Sequence, residues 1–253
     1  MVDLAKKNCP NLKILAFTTN ALLIERTIKY AKYAKDKGLD VLITISLDGD
    51  QKLHDELRGV PGNYKKCEEL YKRLKELGIN CHYGLTASGS NSKFIEEKYH
   101  HYKDTIRAIT FVHSEGIYNK KNQSDDINIL ESIKIINKNY IIKNLQEIIE
   151  KIHIKISYFF LKNNRNKNII TCDVLDSSIH IMPNGDLKPC MFMNSLGNIR
   201  EEDFNSITNS EKYEKTRKLI KKNQCPKCWM NCYSVHSIMQ NPIKSLYYLF
   251  KKI

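Results

Sequence analysis

The distribution of cysteine constrains this chain most. Of eight cysteines in 253 residues, five fall in the last third, at Cys172, Cys190, Cys225, Cys228 and Cys232. The last three form the run Cys225-Pro-Lys-Cys228-Trp-Met-Asn-Cys232. A C-x-x-C pair bends the backbone so that two thiolates face one centre, and two upstream cysteines can complete a four-sulfur cage. The C-terminal third therefore reads as a metal site. Cys9, Cys67 and Cys81 stand alone and read as packing residues.

No stretch approaches the length of a membrane span, and the opening Met1-Val-Asp-Leu-Ala-Lys-Lys lacks the apolar core of a signal peptide. A cytoplasmic location is the expectation, and in a reducing compartment clustered cysteines serve as metal ligands rather than disulfides. The net charge of +13 raises nucleic acid or an anionic membrane as partners. The lysines, however, are spread along the whole chain among many Asn and Ile residues, which reads as a solvated basic surface. No basic-aromatic reading motif accompanies them, which argues against nucleic acid.

The first part of the chain alternates strand and helix signals. Residues 11–17, 41–47, 79–86 and 106–113 read as strands, and 24–37, 64–77 and 92–102 as helices. Asn63 stands as the expected N-cap of the second helix, and Gly38 and Gly78 terminate the first two. Such alternation predicts β-α-β units and a parallel sheet covered by helices. Polar segments follow the strands: Thr18-Thr19-Asn20, Ser46-Leu47-Asp48-Gly49, Thr86-Ala87-Ser88-Gly89 and His113-Ser114-Glu115. Parallel α/β folds build active sites at these strand ends, and turn or cap chemistry accounts for the same residues equally.

Residues 125–162 have helix-like spacing, although 152–161 are β-branched and aromatic enough for a strand; a helix is the expectation. The polar run 163–168 is read as a linker, dividing an α/β half (1–162) from a cysteine-bearing half (169–240) and a C-terminal helix (241–253). Within the second half, 178–190 reads as a hairpin turning at Pro183-Asn184-Gly185-Asp186. It carries Cys190 back toward Cys172 and presents backbone N–H groups that can bond cluster sulfurs.

Both halves resemble the radical S-adenosylmethionine (SAM) enzymes that carry a C-terminal SPASM or shortened twitch iron-sulfur domain. In the first half the likeness rests on Thr19-Asn20-Ala21, where the family has Thr-Asn-Gly. It rests further on Ile45-Ser46-Leu47-Asp48-Gly49 followed by His54-Asp55-Glu56-Leu57-Arg58-Gly59-Val60-Pro61-Gly62. In the second half it rests on Pro183-Asn184-Gly185-Asp186 with Pro189-Cys190, on Leu196-Gly197-Asn198-Ile199, and on the terminal cysteine run. The resemblance implies an incomplete parallel β/α barrel of the TIM type joined to a SPASM/twitch domain.

The resemblance also implies cofactors and roles. A reduced [4Fe-4S] cluster cleaves SAM in this family, and the resulting radical abstracts hydrogen from a peptide or small-molecule substrate. Thr19, Asn20, Ser46, Asp48, Arg58, Thr86 and Asn91 would line the SAM mouth, Asp48 equally being a cap and Arg58 equally a rim arginine. Cys172 and Cys190 match the first ligands of a twitch-type auxiliary cluster and Cys225 with Cys228 its C-x-x-C pair, leaving Cys232 an alternative ligand or free thiol. The family's C-x-x-x-C-x-x-C is absent from the 253 residues, as is its Gly-Gly-Glu segment. The chain thus reads as a fragment, a misassigned start or one part of a split protein, needing a complementing N-terminal half and an electron donor. By itself it is expected to hold one [4Fe-4S] cluster and to leave SAM intact, with its catalytic residues unassigned. The rival reading is a non-catalytic zinc or iron-sulfur module acting as a partner subunit, since four thiolates also suit tetrahedral zinc.

Overall fold

The computed structural model describes residues 2–111, 126–163, 169–226 and 228–253. A short helix α1 (Val2–Asn8) precedes strand β1 (Ile14–Thr19), helix α2 (Ile24–Asp36), β2 (Asp40–Ser46), α3 (Gln51–Arg58), α4 (Asn63–Glu76), β3 (Asn80–Ala87), α5 (Ser92–Tyr102) and β4 (Ile106–Phe111). The strands lie side by side in chain order, with β1 parallel to β2 and β2 parallel to β3. Sequential order means that every crossover steps the same way, as in the wall of a β/α barrel; a doubly wound sheet reverses direction. Among the described residues four strands form this wall, fewer than the eight of a closed β/α barrel. Among the described residues β1 pairs only with β2, and none of its residues is buried.

The pleat gives the sheet two unlike faces. Val41, Ile43 and Ile45 of β2 and Cys81, Tyr83 and Leu85 of β3 are buried, as are Ala31 and Ala34 of α2 and Cys67, Leu70 and Leu74 of α4. The other face carries Thr18, Thr44, Ser46, His82 and Gly84, with the Thr44 hydroxyl 3.0 Å from His82 Nε2. A Cβ on Gly84 would come within 2.5 Å of the Thr44 methyl, so only glycine fits there. One face is thus a hydrophobic core, and the other mixes these polar residues with Ala16 and Leu42.

The expected strands and helices of this half form with ends shifted by a few residues, and two local features differ. Helix α3 was not anticipated, because its eight residues are too few to set an apolar period; Asp50 caps it by accepting the Leu53 N–H at 3.2 Å. Asn63 is not an N-cap: α4 begins at Asn63 itself and its capping residue is Gly62, at φ 78°. Asp55 supplies the missing acceptor from outside, taking the N–H groups of Gly62 at 2.6 Å and Tyr64 at 2.7 Å. That leaves the Asn63 side chain for other work.

The chain divides into two compact units, residues 1–110 and 111–253. The compositional division at 162 therefore differs from the division by packing. Residues 125–162 contain two helices, α6 (Asp126–Asn139) and α7 (Leu145–Lys162), that belong with the cysteine-bearing unit. Residues 152–161 are helical, and nearly all of them are buried. A helix buried all round shows no polar stripe, which is why its apolar run also read as a strand.

Next come three short antiparallel strands, β5 (His180–Ile181), β6 (Asp186–Lys188) and β7 (Gly197–Asn198), with Gly185 at φ 96° turning the hairpin. Helices α8 (Phe204–Thr208), α9 (Glu211–Lys221), α10 (Asn231–Gln240) and α11 (Pro242–Phe250) complete the unit. The C-terminal cysteine run is fastened to α7. The Trp229 indole N–H donates to the His153 carbonyl at 3.1 Å, its ring stacks on His153 at 5.8 Å, and His153 Nδ1 lies 2.7 Å from the Ser234 hydroxyl. Asn231 Nδ2 reaches both oxygens of Glu150, at 3.2 and 3.1 Å. Trp229→Ala removes a buried aromatic and its hydrogen bond together, and should lower unfolding free energy by about 3–5 kcal/mol. Trp229→Phe, which keeps the ring packing, should cost clearly less in the same denaturant titration.

Candidate metal centre

Cys190 ends the β5–β6 hairpin and is buried, whereas Cys172, Cys225 and Cys228 are half-buried against the same hydrophobic cluster of Leu187, Leu196, Ile220, Met230 and Tyr233. These four thiols are electrostatic neighbours of one another: Cys190 feels Cys172 and Cys225, and Cys228 feels all three. Cys232 is exposed in the first turn of α10 and faces Cys172. Four sulfurs therefore converge from three segments of chain, with the fifth beside them. Among the described residues no three Cys, His, Asp or Glu side chains stand at direct metal-holding distance as placed.

Burial pushes the Cys190 thiol up to about 11, and raises Cys172 and Cys228 as well. A thiolate in this apolar setting needs compensation, and the backbone provides part of it. The N–H two residues on favours the thiolate in three cases: Val174 for Cys172, Phe192 for Cys190 and Met230 for Cys228. A cysteine that merely fills a core has no use for such a donor. Sulfur ligands of an iron-sulfur cluster do, because N–H···S bonds stabilise thiolate charge and tune the potential. The donor set fits a cluster, and its loading must release protons. Met191 N–H is held by the Tyr233 hydroxyl at 3.0 Å, which fixes the turn that follows Cys190.

The expected SAM-mouth residues separate into two groups. Asp48, Arg58, Thr86 and Asn91 come together in one network: Asp48 accepts the Thr86 N–H at 3.0 Å and pairs with Arg58 at 2.6 Å, so both its oxygens are engaged. Asn91 Nδ2 donates to the carbonyls of Asp48 and Thr86 at 3.0 and 2.9 Å, and its Oδ1 takes the Ser88 N–H. Thr19 and Asn20 fold onto their own turn, accepting the N–H groups of Ala21 and Leu22. Ala21 stands at φ 60°, the left-handed region, which is where a glycine would be expected. Ser46 lies on the mixed face of the sheet, and Thr86 is exposed at the end of β3. His113-Ser114-Glu115 lies outside the described residues.

Sequence reasoning made Asn63 a helix cap and gave His54 no role of its own, yet together they join the strand ends. The Asp48 N–H donates to His54 Nδ1 at 3.1 Å, which places the ring proton on Nε2, 3.0 Å from Asn63 Oδ1. Asn63 Nδ2 then donates to the Asn20 carbonyl at 2.9 Å. This relay, in which both side chains are wholly buried, pins the loop after β1 to the loop after β2. The signal was present as the H-x-x-x-R-G motif, but only contact across the fold shows what its histidine bonds.

Residues 172–233 match the family model of SPASM, an iron-sulfur cluster-binding domain. Among solved structures, native anSMEcpe with bound AdoMet is similar over 98% of this chain and 76% of that one, with a TM-score of 0.59 at 16% identity. The same protein with bound AdoMet and the Cp18Cys peptide gives a TM-score of 0.61 at 15% identity, over 98% of this chain and 77% of that one. The chain therefore shares the fold of those structures, and residues 172–233 are similar to the SPASM iron-sulfur cluster-binding domain. No match was found among curated protein sequences. No described helix is long and apolar enough to cross a membrane.

The relay makes two expectations measurable. Asn63→Ala strands the buried His54 Nε2–H and should cost about 1–3 kcal/mol in urea unfolding. Burial also holds His54 below its ordinary pKa of 6.5. As pH falls through that value the unfolded chain takes up a proton that the folded chain resists, so stability declines. Unfolding titrations at pH 7.5 and 5.5 should show that loss, and His54→Gln should reduce the slope.

Proposed function

We propose that this chain binds a single [4Fe-4S] cluster through four of its C-terminal cysteines and acts in radical SAM chemistry on a peptide or small-molecule substrate. One observation carries the reading: Cys172, Cys190, Cys225 and Cys228 converge within the SPASM-matched residues, three of them with a backbone N–H favouring the thiolate. When bound, such a cluster supplies one-electron transfer. The chain's own residues hold the sulfurs, shield them behind Trp229, Met230 and Tyr233, and donate N–H groups to them. Cys232 stands beside them as an alternative ligand or a free thiol.

In the first unit, Ser46 and Thr86 contact the SAM ribose or carboxylate, with Thr19 and Asn20 beside them. Asp48, Arg58 and Asn91 hold the strand-end loops in place. The likeness to a fold seen with AdoMet and a peptide bound supports this assignment. The 253 residues contain no C-x-x-x-C-x-x-C. The cluster that cleaves SAM therefore comes from a complementing segment bearing that motif, served by an electron donor, and the chain alone leaves SAM intact. A cytoplasmic setting keeps the thiols reduced.

Anaerobically prepared protein should contain about four irons and four sulfides per chain. Cys190→Ala, Cys172→Ala and Cys228→Ala should each lose them, whereas Cys9→Ala, Cys67→Ala and Cys81→Ala keep them. Stoichiometric zinc without acid-labile sulfide would sink the cluster assignment. Under strong reductant the chain alone should give no 5′-deoxyadenosine, and addition of the complementing segment should restore it. Robust production by the 253-residue chain alone would overturn the division of labour.

A further inference from the structure

Helix α11 exposes an apolar stripe that its fold does not use. Ile243 is 87% exposed, Leu246 56%, Tyr247 58% and Phe250 75%. At 100° per residue these four positions lie within an arc of about 100°, the width of a core-facing stripe turned outward. The opposite side of α11 is already anchored: Ser245 is buried, Tyr248 meets Phe159 edge-on at 5.4 Å, and Lys155 Nζ donates to the Leu249 carbonyl at 2.6 Å. Met239, 60% exposed in the last turn of α10, adds a further apolar side chain just before the helix. The stripe is thus rigidly presented and does not stabilise the unit it belongs to.

The charge around it identifies the occupant. Residues 229–253 contain no Asp or Glu, while Lys244, Lys251 and Lys252 flank the stripe. Lys244 and Lys252 are exposed, and Lys251 lies over the Tyr247 ring at 5.2 Å. Apposing two copies of this face would bring like charges together on a chain of net charge +13. An apolar stripe with aromatic residues and a cationic border suits a surface that is apolar below and anionic above. We infer that α11 lies in the interface of an anionic lipid membrane, with Ile243, Leu246, Tyr247 and Phe250 inserted and Lys244, Lys251 and Lys252 at the headgroups. The protein docks there peripherally through this helix.

The test is flotation of the full chain, prepared anaerobically, with vesicles of phosphatidylcholine alone or with 30 mol% phosphatidylglycerol. Binding should favour the anionic vesicles at least about tenfold and weaken with salt. Ile243→Asn with Phe250→Asn leaves the net charge unchanged and alters only exposed side chains, so the fold is retained, which far-UV circular dichroism verifies. That double variant should bind anionic vesicles at least about tenfold more weakly, because two large apolar groups no longer insert. Lys29→Gln with Lys32→Gln, which removes two charges from α2, should bind as the parent does. Equal binding by the Asn variant would assign the affinity to diffuse charge and overturn the proposal. So would a concentration-dependent dimer in light scattering that the Asn variant abolishes, with no vesicle association by the parent chain.

Discussion

The cost of placing sulfur that must carry charge inside an apolar setting governs the second unit. Burial alone drives the Cys190, Cys172 and Cys228 thiols toward their neutral forms. Only a cation and hydrogen-bond donors reverse that preference. The fold supplies the donors in advance, from backbone N–H groups that turn geometry directs at each sulfur. Those turns hold their shape because the surrounding frame is rigid: the Tyr233 hydroxyl grips the Met191 N–H, and Trp229, Ser234 and Asn231 fasten the cysteine run to α7. The neighbouring aromatic and polar side chains hold the cysteine-bearing segments together.

The first unit meets a different constraint, because loops at the ends of parallel strands must be fixed without a core beneath them. Its answer is a buried polar network. Asp48, His54, Asn63 and Asn91 spend their hydrogen-bonding capacity on backbone groups and on each other, linking the segments after β1, β2 and β3. A carboxylate committed to Arg58 and the Thr86 N–H holds the loops after β2 and β3 in place.

Much of this was legible in the sequence. The alternation of strands and helices gave a parallel sheet, Pro183-Asn184-Gly185-Asp186 gave the hairpin, and the spacing of Cys225 and Cys228 gave a paired ligand motif. One misreading and one ambiguity have physical causes. Asn63 read as an N-cap because capping chemistry is local, whereas its side chain turned to a histidine nine residues earlier. Residues 152–161 looked ambiguous because a helix buried on nearly every side loses the polar stripe that identifies one.

The division by packing falls elsewhere than the compositional boundary. The polar run at 163–168 looks like a boundary, yet α7 packs with the helices that follow it, and the compact units divide at 110. By itself the sequence determined which elements form, in what order, and which residue types are able to bind metal. Only the tertiary structure decided that four cysteines share one neighbourhood, that Asp48 and Asn91 are occupied by loops, and that the apolar stripe of α11 faces outward. Periodicity and spacing record short-range preferences along the chain, whereas convergence, saturation of hydrogen bonds and exposure depend on what lies across the fold.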